Sequence, residues 1–208
     1  MKKRIAVALV ALVMIVGCVV GGTLAWLSAK SNTVTNTFTY GDIEINLWET
    51  DLENNKTETG VAYSNIVPGA TVPKDPTITV IENSENCYVY AKVTNNVVLD
   101  GKTVVTCNID GDNWTLIGSK TNDNGSVINL YKYNNIVTKS TSNTDLPSVF
   151  SDITFSGEIE SDDIATLDAI ENDIIIEAYA HQSDNIGEEK IANDAAIAWA
   201  GVTATASN

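Results

Sequence analysis

Histidine is almost missing from this chain of 208 residues, where His181 is the only one. A single imidazole cannot supply a two-histidine zinc site, and no His-Glu-x-x-His occurs. Arginine is as scarce: Arg4 stands alone. That removes the bidentate forks that recognise phosphate and carboxylate ligands. No Gly-x-Ser-x-Gly elbow and no phosphate-cradling glycine loop is present. A His–Cys pair for acyl transfer would have to use His181, which continues the strand-like run Ile174–Ala180 and reads as structural. Basic residues number 12 against 27 acids, for a formal charge of −15, so the basic face that nucleic acid requires is lacking. The acidity reads as solubility and self-repulsion. No internal repeat and no second domain is visible.

One long apolar run exists, and it lies at the start. Lys2-Lys3-Arg4 precedes an uncharged stretch from Ile5 to Val20, and Gly21-Gly22-Thr23-Leu24-Ala25 closes it with small residues. This order is that of an export signal cleaved between Ala25 and Trp26, which places the mature protein outside the cell, secreted or at the surface. Two rival readings remain: an uncleaved anchor, since no charge falls between Ile5 and Ala29, and lipidation at Cys18 within Ile15-Val16-Gly17-Cys18. The chain then divides into residues 1–25 (signal), 26–40 (an N-terminal arm) and 41–208 (the folded domain). Without the signal, nine lysines face 27 acids, a formal charge of −18.

The body reads as short strands. Ile43–Trp48, Thr77–Ile81, Cys87–Val93, Val104–Ile109, Val127–Tyr133, Ile153–Phe155 and Ile174–Tyr179 are rich in β-branched and aromatic residues, mostly with period-two alternation. Pro68-Gly69, Asp100-Gly101, Asp110-Gly111 and Asn124-Gly125 mark turns, the last joining Trp114–Ile117 to Val127–Tyr133 as a hairpin. Segments 50–60 and 138–146 read as polar loops. Two short helices are expected, Asp162–Ile170 with Ser161 as N-cap and Asn193–Ala200 with Gly201 as its stop. Strands without regularly interleaved helices predict an all-β protein, a jelly-roll-like antiparallel β-sandwich.

Candidate chemistry is thin. Cys87 and Cys107 remain after signal removal; an even count in an exported protein permits one disulfide between them, and two buried free thiols satisfy the same count. Asn108-x-Asp110-x-Asp112 matches the first ligands of a calcium loop, yet Asn113 and Ser119 stand where glycine and glutamate are needed, and a turn accounts for the spacing. Glu158/Glu160 and Asp162/Asp163 read as a solvated acidic rim rather than a glycosidase pair. The sequence calls for no cofactor and no metal, and its reading is not that of an enzyme.

Gly22-Thr23-Leu24-Ala25-Trp26-Leu27-Ser28, followed by Asn36-Thr37-Phe38-Thr39-Tyr40-Gly41-Asp42-Ile43, resembles the N-terminus of the TasA/camelysin family, secreted proteins of Gram-positive bacteria processed by a dedicated signal peptidase. The similarity continues at Ile66-Val67-Pro68-Gly69, Lys74-Asp75-Pro76, Glu82–Val89, Ala178–Gln182 and Ala195–Ala200. The resemblance implies a jelly-roll sandwich. For TasA-like members it also implies biofilm-matrix fibres built by donor-strand exchange, in which the mature N-terminus of one subunit fills a strand position in the next. Its implied partners are further copies of the chain, head to tail, the signal peptidase during export, and other matrix proteins. Camelysin-type members carry a metallopeptidase label, from which one histidine and no zinc motif depart. A surface-binding module for polysaccharide or matrix protein is the second reading.

The arm suits a donor strand on its own residues. Trp26–Tyr40 has no acid and no proline, so nothing in it blocks a ladder. Val34, Asn36, Phe38 and Tyr40 share one face, and Thr33, Thr35, Thr37 and Thr39 the other. The alternative is that the arm pairs within its own subunit.

Overall fold

A computed structural model describes residues 41–64, 66–167 and 173–205. The expectations for residues 1–40, namely the signal, the Ala25–Trp26 bond and the donor positions Val34, Asn36, Phe38 and Tyr40, lie outside the described residues.

Among the described residues, fourteen strands and two helices follow one another: β1 Ile45–Thr50, β2 Lys56–Thr57, β3 Thr71–Pro73, β4 Thr77–Val80, β5 Cys87–Asn95, β6 Val98–Leu99, β7 Lys102–Thr103, β8 Val105–Ile109, β9 Trp114–Thr121, β10 Val127–Tyr133, β11 Thr144–Asp145, β12 Phe150–Phe155, α1 Ser161–Leu167, β13 Ile174–Gln182, α2 Glu189–Ala200 and β14 Thr203–Ala204. The architecture is the expected all-β antiparallel sandwich. One layer is the sheet β13-β5-β10-β9-β14. The other comprises two ladders, β11-β4-β1-β2 and β3-β12-β8. Backbone bonds between them make the second layer continuous, with Leu146 N–H donating to Ile78 C=O and Val149 N–H to Pro76 C=O, both at 2.9 Å, and Lys74 N–H to Ser151 C=O at 3.1 Å. Thus β3–β4 and β11–β12 form two long, bent strands lying side by side.

Alternation sorts the side chains. On β5, Cys87, Val89, Ala91 and Val93 face the inter-sheet core with Ile78, Val80, Trp114, Val149, Phe150 and Ile153. Tyr88 and Tyr90 face the other way and pack with Leu130 beneath Ala192, Ala196 and Ala200 of α2. Small residues on α2 let the helix approach the sheet closely, and the Tyr90 hydroxyl donates to Asn193 Oδ1 at 2.8 Å. The tyrosine pair is therefore packing, as is Tyr133, whose ring lies 5.4 Å from that of Trp114.

Turn chemistry explains the connections. Asp100 and Gly101 both take positive φ, 49° and 74°, the geometry of a two-residue hairpin turn, and they join β6 to β7. The hairpin between β9 and β10 forms as read, in the register Trp114↔Tyr133 to Thr121↔Val127, and its strands run longer than the apolar core alone suggests. Segments 50–60 and 138–146 are not wholly loop, since β2 and β11 lie within them. Each is only two residues long, too short for alternation to register. Helix α2 starts a turn before the apolar residues that signalled it, at Glu189, and Gly201 ends it in the left-handed region at φ 66°. Ser161 is the first residue of α1 rather than the position before it, and Asp163 Oδ2 accepts from Glu160 N–H at 2.8 Å.

Candidate functional site

Among the described residues, one strand edge of the sandwich is left unpaired at one end. β1 runs antiparallel to β4, from Ile45↔Val80 to Trp48↔Thr77, then ends and turns into β2 through Glu49↔Thr57 and Thr50↔Lys56. Alongside β3, the strand that continues β4 backwards, no strand among the described residues takes the place of β1. β3 pairs with β12 on one edge only. Ala70 C=O accepts from Phe155 N–H at 2.8 Å and Lys74 N–H donates to Ser151 C=O. By strand alternation Thr71 and the Pro73 carbonyl therefore point to the unpaired edge. Proline suits that edge, since it has no N–H to leave unsatisfied.

A groove of about 950 Å³ opens there, floored by Val97, Ile153, Phe155, Ile159, Leu167 and Ile174, and bordered by the loop 59–68 and by Lys74. Tyr63 from that loop donates its hydroxyl to the outward-facing Pro73 carbonyl, occupying an acceptor that a further strand would use. Burial raises the Tyr63 phenol above its ordinary pKa, and the negative charges of Glu49 and Asp75 raise it further.

Two charged side chains sit on core-facing positions beside the groove. Glu49 has the parity of Ile43, Ile45 and Leu47, and Lys74 that of Pro76, Ile78 and Val80; both are buried. Lys74 Nζ pairs with Glu49 Oε2. Glu49 Oε1 is buried with no hydrogen-bond partner among the described residues. It lies 3.7 Å from where a side chain on the groove-lining Gly60 would begin. An orphaned buried oxygen costs free energy until a donor reaches it.

The other candidates are dispersed. Cys87 and Cys107 are free thiols in the structure, and they stand on strands of different sheets, β5 and β8. Burial pushes each thiol up to about 11, which keeps them protonated and poorly nucleophilic. His181 pairs across the ladder with Tyr88, on the face covered by α2, whereas Cys87 points into the opposite core. The sheet separates them, so no His–Cys dyad forms. Asp110 is a turn residue: its carboxylate accepts from Asn113 Nδ2 at 2.7 Å and from Asp112 N–H at 3.2 Å. Asn108 donates to Asp152. Those bonds account for the Asn-x-Asp-x-Asp spacing. Trp48, on the outer face of β1, has its ring covered by Lys56 Nζ at 3.6 Å.

These features define a β-sandwich with an unpaired strand edge beside an apolar groove. The chain belongs to the family described as camelysin metallo-endopeptidase, whose family model matches residues 1–193. No curated protein and no solved structure matches the chain at a significant level. The family's description implies a metal centre, and the donor set does not fit one. The sole histidine lies on a packed strand face, and among the described residues no group of three or more His, Cys, Asp or Glu side chains is placed to hold an ion. No helix among the described residues is long and apolar enough to cross a membrane.

Glu49, Lys74 and Tyr63 escaped the sequence reading. A signal for the first two existed: each charge interrupts an otherwise apolar core-facing parity. Tyr63 had none, because its partner is a backbone carbonyl ten residues away.

Proposed function

We propose that this chain is an exported structural protein, a subunit of extracellular matrix fibres, in which the N-terminal arm of one copy fills the groove of the next. The arm is residues 26–40, freed when the signal peptidase cuts between Ala25 and Trp26, and the donor side chains are Val34, Asn36, Phe38 and Tyr40.

The observation that carries this reading is where the chain joins the sandwich relative to where the sandwich lacks a strand. Glu85 N–H donates to Asp42 C=O and Ile81 N–H to Glu44 C=O, each at 2.9 Å, so from Asp42 onward the chain lies beside the far end of β4 and the loop that follows it. It runs from there to Thr50, about 26 Å at 3.3 Å per residue, before reaching the end that holds the groove. Asp42, at the start of the described chain, therefore lies at the end opposite the groove. An arm leaving one end and a slot at the other make a heterologous, head-to-tail contact, which propagates into a filament when its rotation does not close.

Energetics support the same reading. A supplied strand satisfies the edge of β3, and Val34 and Phe38 each contribute about 1.5–3 kcal/mol on burial. Charge is complementary: the arm carries Lys30 and no acid, while residues 41–208 hold eight lysines and all 27 acids. Repulsion between the acidic domains makes assembly favoured by added salt or mild acid.

The test is electron microscopy of protein beginning at Trp26 beside the same protein lacking Trp26–Asn36. Fibres from the first and soluble monomer from the second are expected. Fibres from both refute the donor role. A peptide-hydrolysis assay with and without chelator addresses the family's enzymatic label, and chelator-sensitive cleavage would overturn the non-catalytic reading.

A further inference from the structure

Along the face that the donor arm would bury, Val34, Phe38 and Tyr40 are apolar or aromatic, and one residue is out of place. Asn36 sits in their midst. A carboxamide on a buried face leaves two N–H donors and a carbonyl without water. Beside the groove, next to its lining residue Gly60, lies the converse defect, a buried Glu49 Oε1 with no donor among the described residues, adjoining Lys74 Nζ, which donates to Glu49 Oε2. We propose that Asn36 of one copy docks on the Glu49–Lys74 pair of the next, its amide N–H donating to Glu49 Oε1 and its carbonyl accepting from Lys74 Nζ. This rests on the donor-strand reading above and adds to it the contact that sets the register.

Complementarity of type supports the match. The groove needs a neutral group that donates to a carboxylate and accepts from an ammonium, and Asn36 does so through two separate atoms, its amide nitrogen and its carbonyl oxygen; Val34 and Phe38 do neither, and Tyr40 has a single hydroxyl oxygen for both tasks. An aspartate would repel Glu49, and an apolar side chain would leave the orphan oxygen buried. A slip of one residue would put the Thr33–Thr39 face into the groove, while a slip of two would set an apolar side chain against the ion pair. A lone polar residue in an apolar seam specifies register in coiled coils by the same logic.

The occupant is a second copy rather than the chain's own arm. Asn36 lies six residues before Asp42, and Glu49 lies seven residues beyond it along the chain. To reach Glu49 in its own subunit, Asn36 would have to reverse within residues 37–41 and retrace β1. The outer edge of β1 at Glu49 and Thr50 is already paired with β2.

Because replacing Glu49 disturbs a buried ion pair and with it the fold, the decisive substitutions are on the arm, outside the described sandwich. Processed full chains carrying Asn36→Leu, Asn36→Asp or Thr35→Leu are assembled, and the subunit concentration left in solution after sedimenting the fibres is measured. If the groove were merely apolar, Asn36→Leu would strengthen assembly. The docking contact makes the opposite change: Asn36→Leu raises the residual concentration about tenfold, the scale of one lost bond to a charged group, and Asn36→Asp raises it further. Thr35→Leu, on the other face, changes it less than twofold. Equal or lower residual concentration for Asn36→Leu overturns the contact, while loss of assembly on deleting Trp26–Asn36 keeps the donor reading standing. If that deletion also assembles, the donor reading itself fails and the contact with it.

Discussion

Removing one hydroxyl, in Tyr63→Phe, tests whether the loop 59–68 is a local cover over the groove. Tyr63 donates to the Pro73 carbonyl on the unpaired edge of β3, and the ring itself lines the groove. Phenylalanine keeps the ring and deletes the bond. Pro73 is exposed, so water reaches the freed carbonyl and the loss is that of an ordinary hydrogen bond, about 0.5–1.5 kcal/mol. The closed-to-open equilibrium of the loop then shifts by about 2- to 13-fold. Hydrogen–deuterium exchange of a peptide spanning residues 58–70 reads this directly, as a rise in exchange by that factor with the exchange of β5 and β10 unchanged. Local opening of this kind is separable from global unfolding. Since the loop holds an acceptor that a donor strand would use, the donor-strand proposal expects the same variant to nucleate fibres faster. Unchanged exchange in 58–70, or an equal rise across the whole sandwich, refutes the cover.

Two further outcomes follow from the core. Trp114 is 2% exposed and its indole N–H donates to the Pro147 carbonyl at 3.1 Å, so Trp114→Ala costs about 3–5 kcal/mol in urea unfolding; a loss below 1 kcal/mol would contradict the packing. The thiols of Cys87 and Cys107 are raised from 9.0 to about 11 by burial, so the folded state holds these protons more tightly than the unfolded one. Their stabilisation is complete below pH 9 and is lost as pH rises from about 9 to about 11. The urea midpoint should fall across that window, and Cys87→Ala with Cys107→Ala should flatten the fall; an unaltered alkaline slope in the double variant rules the thiols out as its source.

Strand identity was legible wherever a run was long enough to alternate. Val127–Tyr133 and the cores of β4, β5 and β13 follow from period two alone. β2, β6, β7, β11 and β14 do not, because two residues carry no period and their strand character comes from the neighbour they pair with. The division of tyrosines was half legible: Tyr88 and Tyr90 clearly share a face, but that the face belongs to α2 depends on Ala192, Ala196 and Ala200, small residues whose role is only to allow close approach. The cysteines show the opposite limit. Both lie in strands as read, and no pattern in the sequence says that β5 and β8 belong to different sheets.

The groove was illegible as a site because its floor is gathered from Val97, Ile153, Phe155, Ile159, Leu167 and Ile174, spread over 78 positions of chain. Its polar edge, however, was written in the strands. A β-strand that alternates Ile43, Ile45, Leu47 and then Glu49 on its inner face, opposite one that reads Lys74, Pro76, Ile78 and Val80, exchanges burial for charge at one end of both strands. Two such charges facing each other indicate an ion pair at the rim of the core, where the sheet is about to stop. An ion pair inside a finished core contributes little over a well-packed apolar pair, so stability alone is a weak reason for Glu49 and Lys74 to stand there. Leaving one carboxylate oxygen unsatisfied makes stability a weaker reason still. The arrangement makes sense when the core is finished by something else, and on the donor-strand proposal that something is the arm, whose Asn36 carboxamide has both a donor for Glu49 and an acceptor for Lys74.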